Sequence, residues 1–218
     1  MATPSLTVAT SPIFRQPSTQ FVSGIPITTV VRSHIFGSPP HLFLNNYELL
    51  SVLGEGSFGE AVLAHRKASG ELDFAEFVAL KCFSKSRLSK KRDIRKVGGR
   101  MAVTTALDKV GVELRVLAAL SAAGGNPYVA RLREVLNDPT SDDLYFVLDY
   151  CDGGDLMTYD AEDDCFRSRF TEGPLTLAQC RQVMHDLALA LRFCHALGVA
   201  HRDVKPDNLL LTSAGRCV

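Results

Sequence analysis

From residue 47 onward, short apolar runs alternate with glycine-bearing turns. Residues 47–53 form a strand-like run that stops at Gly54. Residues 61–64 resume a strand, and residues 77–83 supply a third, with the turn signal Ala68, Ser69, Gly70 between them. Three short strands joined by tight turns predict an antiparallel meander. From Leu107, apolar residues recur at Val110, Leu114 and Leu117, a helical spacing. Gly111 weakens that helix by about 1 kcal/mol relative to alanine. Residues 129–135 and 144–150 read as a second hairpin, with Asn137, Asp138 and Pro139 opening its loop. Thr176 and Gln179 have capping-box spacing. The helix behind them carries Leu177, Val183, Met184, Leu187, Leu191 and Cys194, and Gly198 fits its C-terminal stop. Residues 209–211 are a short strand. The order predicts an α+β fold: a small antiparallel β lobe with one helix, then the beginning of a mainly helical lobe.

Composition narrows the function classes. The chain has 218 residues, of which 46% are hydrophobic and 22% charged, a globular balance. Its 24 Lys and Arg cancel 24 Asp and Glu, so no global basic field for nucleic acid exists. No run of about 18 apolar residues occurs, and no membrane span is expected. The cysteines at 82, 151, 165, 180, 194 and 217 form no CxxC pair, so neither a zinc ribbon nor a thioredoxin site is suggested. They are expected as free thiols in a reducing compartment, mostly as small buried hydrophobes.

The charge is unevenly placed. Residues 1–47 contain no Asp or Glu, two Arg and twelve Ser or Thr. Residues 1–43 are therefore expected to be a poorly ordered extension without effect on the rest; an organelle transit peptide is the alternative. Residues 85–100 carry eight Lys or Arg against Asp93, and residues 138–172 carry eleven Asp or Glu against two Arg. Solvated loops account for both clusters, and each is also able to attract a partner of opposite charge.

The candidate chemistry begins at GEGSFG, residues 54–59. This GxGxxG pattern alone is weak, because dinucleotide-binding folds share it. Those folds require a helix after the glycines. Here Glu60 to Ala64 is strand-like, so the loop is a hairpin tip whose backbone N–H groups can approach phosphates. Val78, Ala79, Leu80 and Lys81 follow. A lysine in an apolar strand calls for a partner or a function. Strand alternation puts Ala79 and Lys81 on one face, with room at Ala79 for an adenine ring. Glu113, on the helix, is the candidate carboxylate for Lys81. The strongest signal is HRDVKPDN, residues 201–208. Asp203 fits a base for a substrate hydroxyl, Lys205 a charge neutraliser for the transferring phosphoryl group, and Asn208 a Mg²⁺ ligand.

GEGSFG, VALK, Glu113, LYFVLDYCDGGDL and HRDVKPDN occur in the order found in eukaryotic protein kinases. The chain resembles the N-terminal part of that catalytic domain over residues 44–218, and Lys205 within HRDVKPDN resembles the serine/threonine class. The resemblance implies a small lobe at about 44–148, a hinge at about 149–151 and a partial large lobe at 152–218. It implies Leu148 as gatekeeper, backbone contacts to adenine from Asp149 to Cys151, and Asp155 at the ribose. The full implied ATP site is Leu53, Gly54, Glu55, Gly56, Ser57, Phe58, Gly59, Ala61, Ala79, Lys81, Glu113, Asp149, Cys151, Asp155 and Leu210. Asp203 and Lys205 are the implied catalytic pair, with Asn208 on the metal. ATP and Mg²⁺ are the implied cofactors, and a protein is the implied substrate.

ALKCFSKSRLSKKR, EVLNDPTSDDLYFVLDY and NLLLTSAGR resemble the calcium/calmodulin-dependent protein kinase kinase group, whose substrates are activation loops of other kinases, typically of the AMP-activated class. That group carries an Arg/Pro-rich insert after the strand lysine, whereas no proline lies between residues 82 and 126 here. The family's valine above adenine is Ala61, a loss of about 1 kcal/mol in base contact. The sequence stops at Val218, before the family's DFG motif. The expectation is thus that the chain as it stands does not transfer phosphate and is aggregation-prone or chaperone-bound. Two alternatives stay open: an inactive kinase-like module that binds nucleotide or a partner, and a small-molecule phosphotransferase, which Arg202 and Lys205 disfavour. The expected compartment is the cytoplasm, with a plastid or other organelle as the alternative raised by the N-terminus.

Overall fold

A computed structural model describes residues 19–36, 41–56, 58–67, 76–97, 100–168 and 173–218. Ser57 and the turn expected at 68–70 lie outside the described residues. The small lobe is built from β1 (Thr19–Val22), β2 (Ile25–Thr28), β3 (Ser33–Phe36), β4 (His41–Leu44), β5 (Tyr47–Glu55), β6 (Gly59–Arg66), β7 (Glu76–Ser84), α1 (Lys85–Lys90), β8 (Arg92–Val97), β9 (Arg100–Thr105), α2 (Ala106–Ala122), β10 (Leu132–Asn137) and β11 (Asp143–Asp149). The expected meander is β5–β6–β7, the expected helix is α2, and the second hairpin is β10–β11. α2 starts at a full capping box: the Thr105 hydroxyl accepts from the Asp108 amide, and the Asp108 carboxylate accepts from the Thr105 amide.

One nine-stranded sheet runs in the order β1-β2-β10-β11-β7-β6-β5-β4-β3. Its two faces bury separate clusters. Phe83, Leu144 and Phe146 lie under α2, against Val110 and Ala118. Val62, Ala64, Val78, Leu80, Leu136 and Val147 fill the opposite face.

The second cluster is closed by the segment expected to be disordered. Residues 19–36 and 41–44 carry four strands, so this part of the extension belongs to the lobe. β2 joins one sheet edge, parallel to β10, and β4 joins the other, antiparallel to β5. Between them the chain crosses from edge to edge, and Val31 packs on the second cluster together with Leu44 and Tyr47. Asn45 fastens the crossing: its side-chain oxygen accepts from the Arg32 amide at 2.9 Å and its amide donates to the Val30 carbonyl at 3.3 Å. Thr28, only 2% exposed, donates to Glu134 on β10. Tyr47 on β5 donates to the other oxygen of the same carboxylate at 2.6 Å. Three strands separate β5 from β10 in the sheet, so this bond requires the sheet to curl round on itself. Acid-poor, Ser/Thr-rich composition resembled a tail because these strands are four residues long and their burial depends on partners far away in sequence.

The basic segment is likewise structured. It forms α1 and the hairpin β8–β9, a separate two-stranded sheet. In the acidic segment, β13 (Thr158–Asp160) and β14 (Cys165–Arg167) form another. The large-lobe part continues with α3 (Leu177–Ala196), a 3-10 turn (Pro206–Asn208) and β15 (Leu210–Leu211), which pairs with β12 (Gly154–Asp155). The Thr176–Gln179 capping box is present, and Gly198 takes φ +72° just past α3. Asp186 of α3 is fully buried. It accepts from the Gln182 side chain at 2.7 Å and from the Cys217 amide at 3.0 Å, tying the C-terminal segment to the helix. All six cysteines are free; Cys151, Cys194 and Cys217 are buried, whereas Cys180 is exposed. Among the described residues no helix is long and apolar enough to cross a membrane.

Candidate nucleotide and phosphoryl-transfer site

The glycine-rich tip joins β5 to β6, as a strand after the glycines requires. Its glycines differ in what they permit. At Gly54 an added Cβ meets nothing within 4 Å, and at Gly56 only the Gly59 carbonyl at 3.6 Å. At Gly59 it would collide with the Cys82 carbonyl, because β6 passes too close to β7 there. The last glycine is thus demanded by strand packing. The first two keep open space over the loop, which a bound phosphate chain would fit. The tip is closed by the Gly56 amide donating to the Gly59 carbonyl at 2.7 Å. Leu53 is the extra residue of a β-bulge between Val52 and Gly54, a device that re-aims a side chain.

The sheet register places the next residues. Ala61 lies opposite Lys81, and Ala79 opposite both Leu63 and Leu148. Directly paired residues share a face, so Ala61, Ala79, Lys81 and Leu148 line the α2 side, whereas Val62 turns to the other side and is buried. From α2, two turns after its start, Glu113 reaches Lys81 with a Nζ–Oε1 distance of 2.6 Å. The pair is half-open, at 37% and 32% exposure, so the lysine is less enclosed than an apolar strand implies. Lys81 Nζ also lies 5.5 Å from the Phe83 ring centre, a cation–π distance. Phe58 packs at the edge of the cluster under α2. Glu55 is exposed at the tip.

At the end of β11, Asp149 is held by two arginines of the neighbouring segment. Its carboxylate takes the Arg133 guanidinium and the Arg131 amide, and its own amide donates to the Arg131 carbonyl at 3.1 Å. Arg133 also pairs with Glu76 at 3.5 Å. This brace on the hinge was not read from the sequence. Cys151 is buried, and its carbonyl accepts from Gly154 at 3.0 Å. Asp155, exposed, is brought directly opposite Leu210 by the β12–β15 pairing.

The catalytic-loop residues form their own small network. The Asn208 amide donates to both the Asp203 carbonyl and the Asp203 carboxylate, each at 2.8 Å. With both amide protons engaged, the Asn208 side-chain oxygen is the atom left for a cation. Lys205 Nζ lies 3.7 Å from the Asp203 carboxylate. Arg202 adopts φ +66°, a conformation that costs a non-glycine residue about 1–3 kcal/mol and clusters at functional sites. Pro206 then starts the 3-10 turn that brings Asn208 back over Asp203. Glu113 from α2 and His201, Asn208 and Leu210 from the large-lobe part line one cavity of about 690 Å³, whereas Lys81, Asp203 and the hinge stay outside its lining and Glu55, Gly56 and Gly59 of the tip line a separate one. Asp186, which anchors this part from α3, had a legible signal: an acid in phase with Val183, Leu187 and Cys194 on an apolar stripe.

The profile described as the protein kinase domain matches residues 47–217. The chain belongs to the protein kinase family. Its relatives include the serine/threonine-protein kinase ssp1 of Schizosaccharomyces pombe, 32% identical over 176 residues, covering 81% of this chain and 23% of ssp1. The serine/threonine-protein kinase GRIK2 of Arabidopsis thaliana is 32% identical over 172 residues, 79% of this chain and 36% of GRIK2. CBL-interacting protein kinase 12 of Oryza sativa subsp. japonica is 35% identical over 213 residues, 96% of this chain and 33% of that kinase. The chain therefore spans between about a quarter and just over a third of the length of these kinases. In protein kinase terms, the sheet with α2 is the small lobe, and two strands at each edge of that sheet, β1–β2 and β3–β4, precede the matched residues.

Proposed function

We propose that this chain supplies the ATP-binding part and the catalytic loop of a serine/threonine protein kinase, which transfers phosphoryl from Mg-ATP to a Ser or Thr hydroxyl. The observation that carries this reading is the 2.6 Å Lys81–Glu113 ion pair, whose Glu113 lines a cavity together with Asn208. Lys81, oriented by Glu113, positions the phosphates. The open space over Gly54 and Gly56 gives the phosphates room to lie against the tip. Leu53, Ala61, Ala79 and Leu210 enclose the base, Asp149 and Cys151 contact it through backbone groups, and Asp155 meets the ribose. Asp203 accepts the hydroxyl proton. Lys205 neutralises charge on the moving phosphoryl group. The Asn208 oxygen fits Mg²⁺, which supplies neutralisation of the phosphate charge and is held largely by substrate oxygens and water.

As the finer reading, the substrate is an activation loop of an AMP-activated-type kinase. The support is the resemblance of the 79–92, 134–150 and 208–216 phrases to the calcium/calmodulin-dependent protein kinase kinase group. The cytoplasm is the proposed compartment. The test is label transfer from radiolabelled ATP by the full-length protein to an activation-loop peptide and to a generic Ser/Thr peptide, with Asp203→Asn as background. Transfer equal to that background refutes the kinase reading. Equal use of both peptides removes only the finer one. Nucleotide binding without any transfer would favour the second reading, an inactive kinase-like module.

A further inference from the structure

Two hairpins stand apart from the main sheet, and each leaves one apolar face uncovered. β8–β9 is rooted on α2: the Ala106 amide donates to the Lys91 carbonyl at 2.8 Å, and Asp93 pairs with Lys109 at 3.1 Å. Asp93 therefore marks the face turned to α2, and Ile94 lies on the other face. There Ile94 sits directly opposite Val103, and the two are 58% and 57% exposed. Exposed Arg92 is next on that face. In the large-lobe part, Tyr159 sits directly opposite Phe166 on β13–β14, with ring centres 5.3 Å apart. These are 51% and 46% exposed. The opposite face of this hairpin is closed by its own Arg167–Asp160 ion pair at 2.9 Å, while Glu162 at the tip is exposed.

An isolated two-stranded hairpin is marginal in water, and an uncovered cross-strand apolar pair gains most from a second layer. The two hairpins are also opposite in charge. Residues 92–105 hold four Lys or Arg against Asp93, whereas residues 158–167 hold four Asp or Glu against Arg167. A cationic face bearing aliphatic side chains suits an aromatic pair with an acidic rim, through apolar burial and an Arg–aromatic contact. Both members of this matched pair belong to one chain, yet within that chain both stay exposed.

We propose that β8–β9 of one copy docks on β13–β14 of a second copy. The contact is head-to-tail, so two copies close as a reciprocal pair or continue as a row. Two such small faces bury less than the about 1,200 Å² of a stable interface, so the association is weak and concentration-dependent. Because the β8–β9 hairpin runs straight into α2, docking also bears on the helix that carries Glu113.

The experiment is sedimentation of the full chain over a concentration series at low salt and in 1 M NaCl. The screening length falls from about 10 Å at 0.1 M to about 3 Å at 1 M. The expected result is a mass rising above one chain with concentration, and a return toward one chain at high salt. Two variants separate the halves: Ile94→Ser with Val103→Ser, and Tyr159→Ser with Phe166→Ser. Each alone should remain a single chain with the parent's melting temperature, and mixing them should restore association, since each keeps one intact half. Arg92→Glu and Glu162→Lys, also mixed, repeat the test without touching the apolar pairs. A single-chain mass for the parent at every concentration overturns the proposal. So does association that survives in both variants alone, or a failure of both mixtures to recover it, whether the remaining surface binds nothing or some other protein.

Discussion

Leu44→Ala should destabilise this protein strongly although Leu44 precedes the matched kinase domain. Leu44 is 4% exposed and packs with Tyr47, Val62 and Leu80 in the cluster on the outer face of the sheet. Large-to-small changes at such positions cost about 2–5 kcal/mol. For a chain of this size each kcal/mol moves the melting temperature by about 2–4 °C, so a fall of at least about 4 °C is expected. Removing residues 1–44 altogether takes away Ile25, Phe43 and Leu44, all buried. At about 1.5–3 kcal/mol each, that forfeits about 4.5–9 kcal/mol, comparable to a whole domain's stability of about 5–15 kcal/mol. It also deprives the Glu134 carboxylate of Thr28. Ile35→Ala is the matched control, because Ile35 lies in the same extension but is 71% exposed, and such surface changes stay within about 0.5 kcal/mol. The assay is thermal unfolding by circular dichroism of the three variants and the parent. Equal melting temperatures for Leu44→Ala and Ile35→Ala, or parental stability after removal of residues 1–44, would refute the reading that the extension is part of the lobe.

Lys81→Met and Asp203→Asn should each lower phosphoryl transfer by the full-length protein by about 10²-fold or more, with near-normal turnover in steady-state assays sinking the assigned roles. Gly59→Ala should cost more stability than Gly54→Ala, since only the former drives a Cβ into the Cys82 carbonyl; equal chemical-denaturation midpoints would contradict the strand-packing account. Burial, helped by nearby negative charge, pushes the Cys151 and Cys217 thiols up from the ordinary 9.0 to about 11. Their folded-state values lie above the unfolded ones, so their contribution is fully present below about pH 9 and is lost as pH rises from there to about 11. Melting curves across that window should decline, and alkylation at neutral pH should mark exposed Cys180 well before either of them. Thr105→Ala should cost about 1 kcal/mol through the α2 cap, read as a lower melting temperature with α2's start frayed in hydrogen exchange.

Much of this protein is decided locally and so could be read from the sequence. Alternation and turn residues determine β5, β6, β7, β10 and β11, because a strand's pleat and its bounding glycines act within a few residues. Capping spacing determines the starts of α2 and α3 for the same reason. The phrase at 201–208 specifies its own network, since Asn208 needs only five residues of chain to return over Asp203. Even the Lys81–Glu113 pair was legible, because a lysine in an apolar strand has few carboxylates within reach. Other features depend on contacts that no local pattern announces. Residues 19–44 look like a tail until β10 and β5 give their backbone a sheet edge and the curled sheet gives Leu44 and Ile25 a core. Tyr47 and Glu134 meet only because that curl brings together strands with three others between them. The basic and acidic segments read as charge on loops, and only pairing turned them into hairpins with an ion pair on one face and an uncovered apolar pair on the other. Which glycine is indispensable was likewise settled in three dimensions: Gly54 and Gly59 fit one pattern equally, but only at Gly59 does a neighbouring strand's carbonyl occupy the place of a side chain.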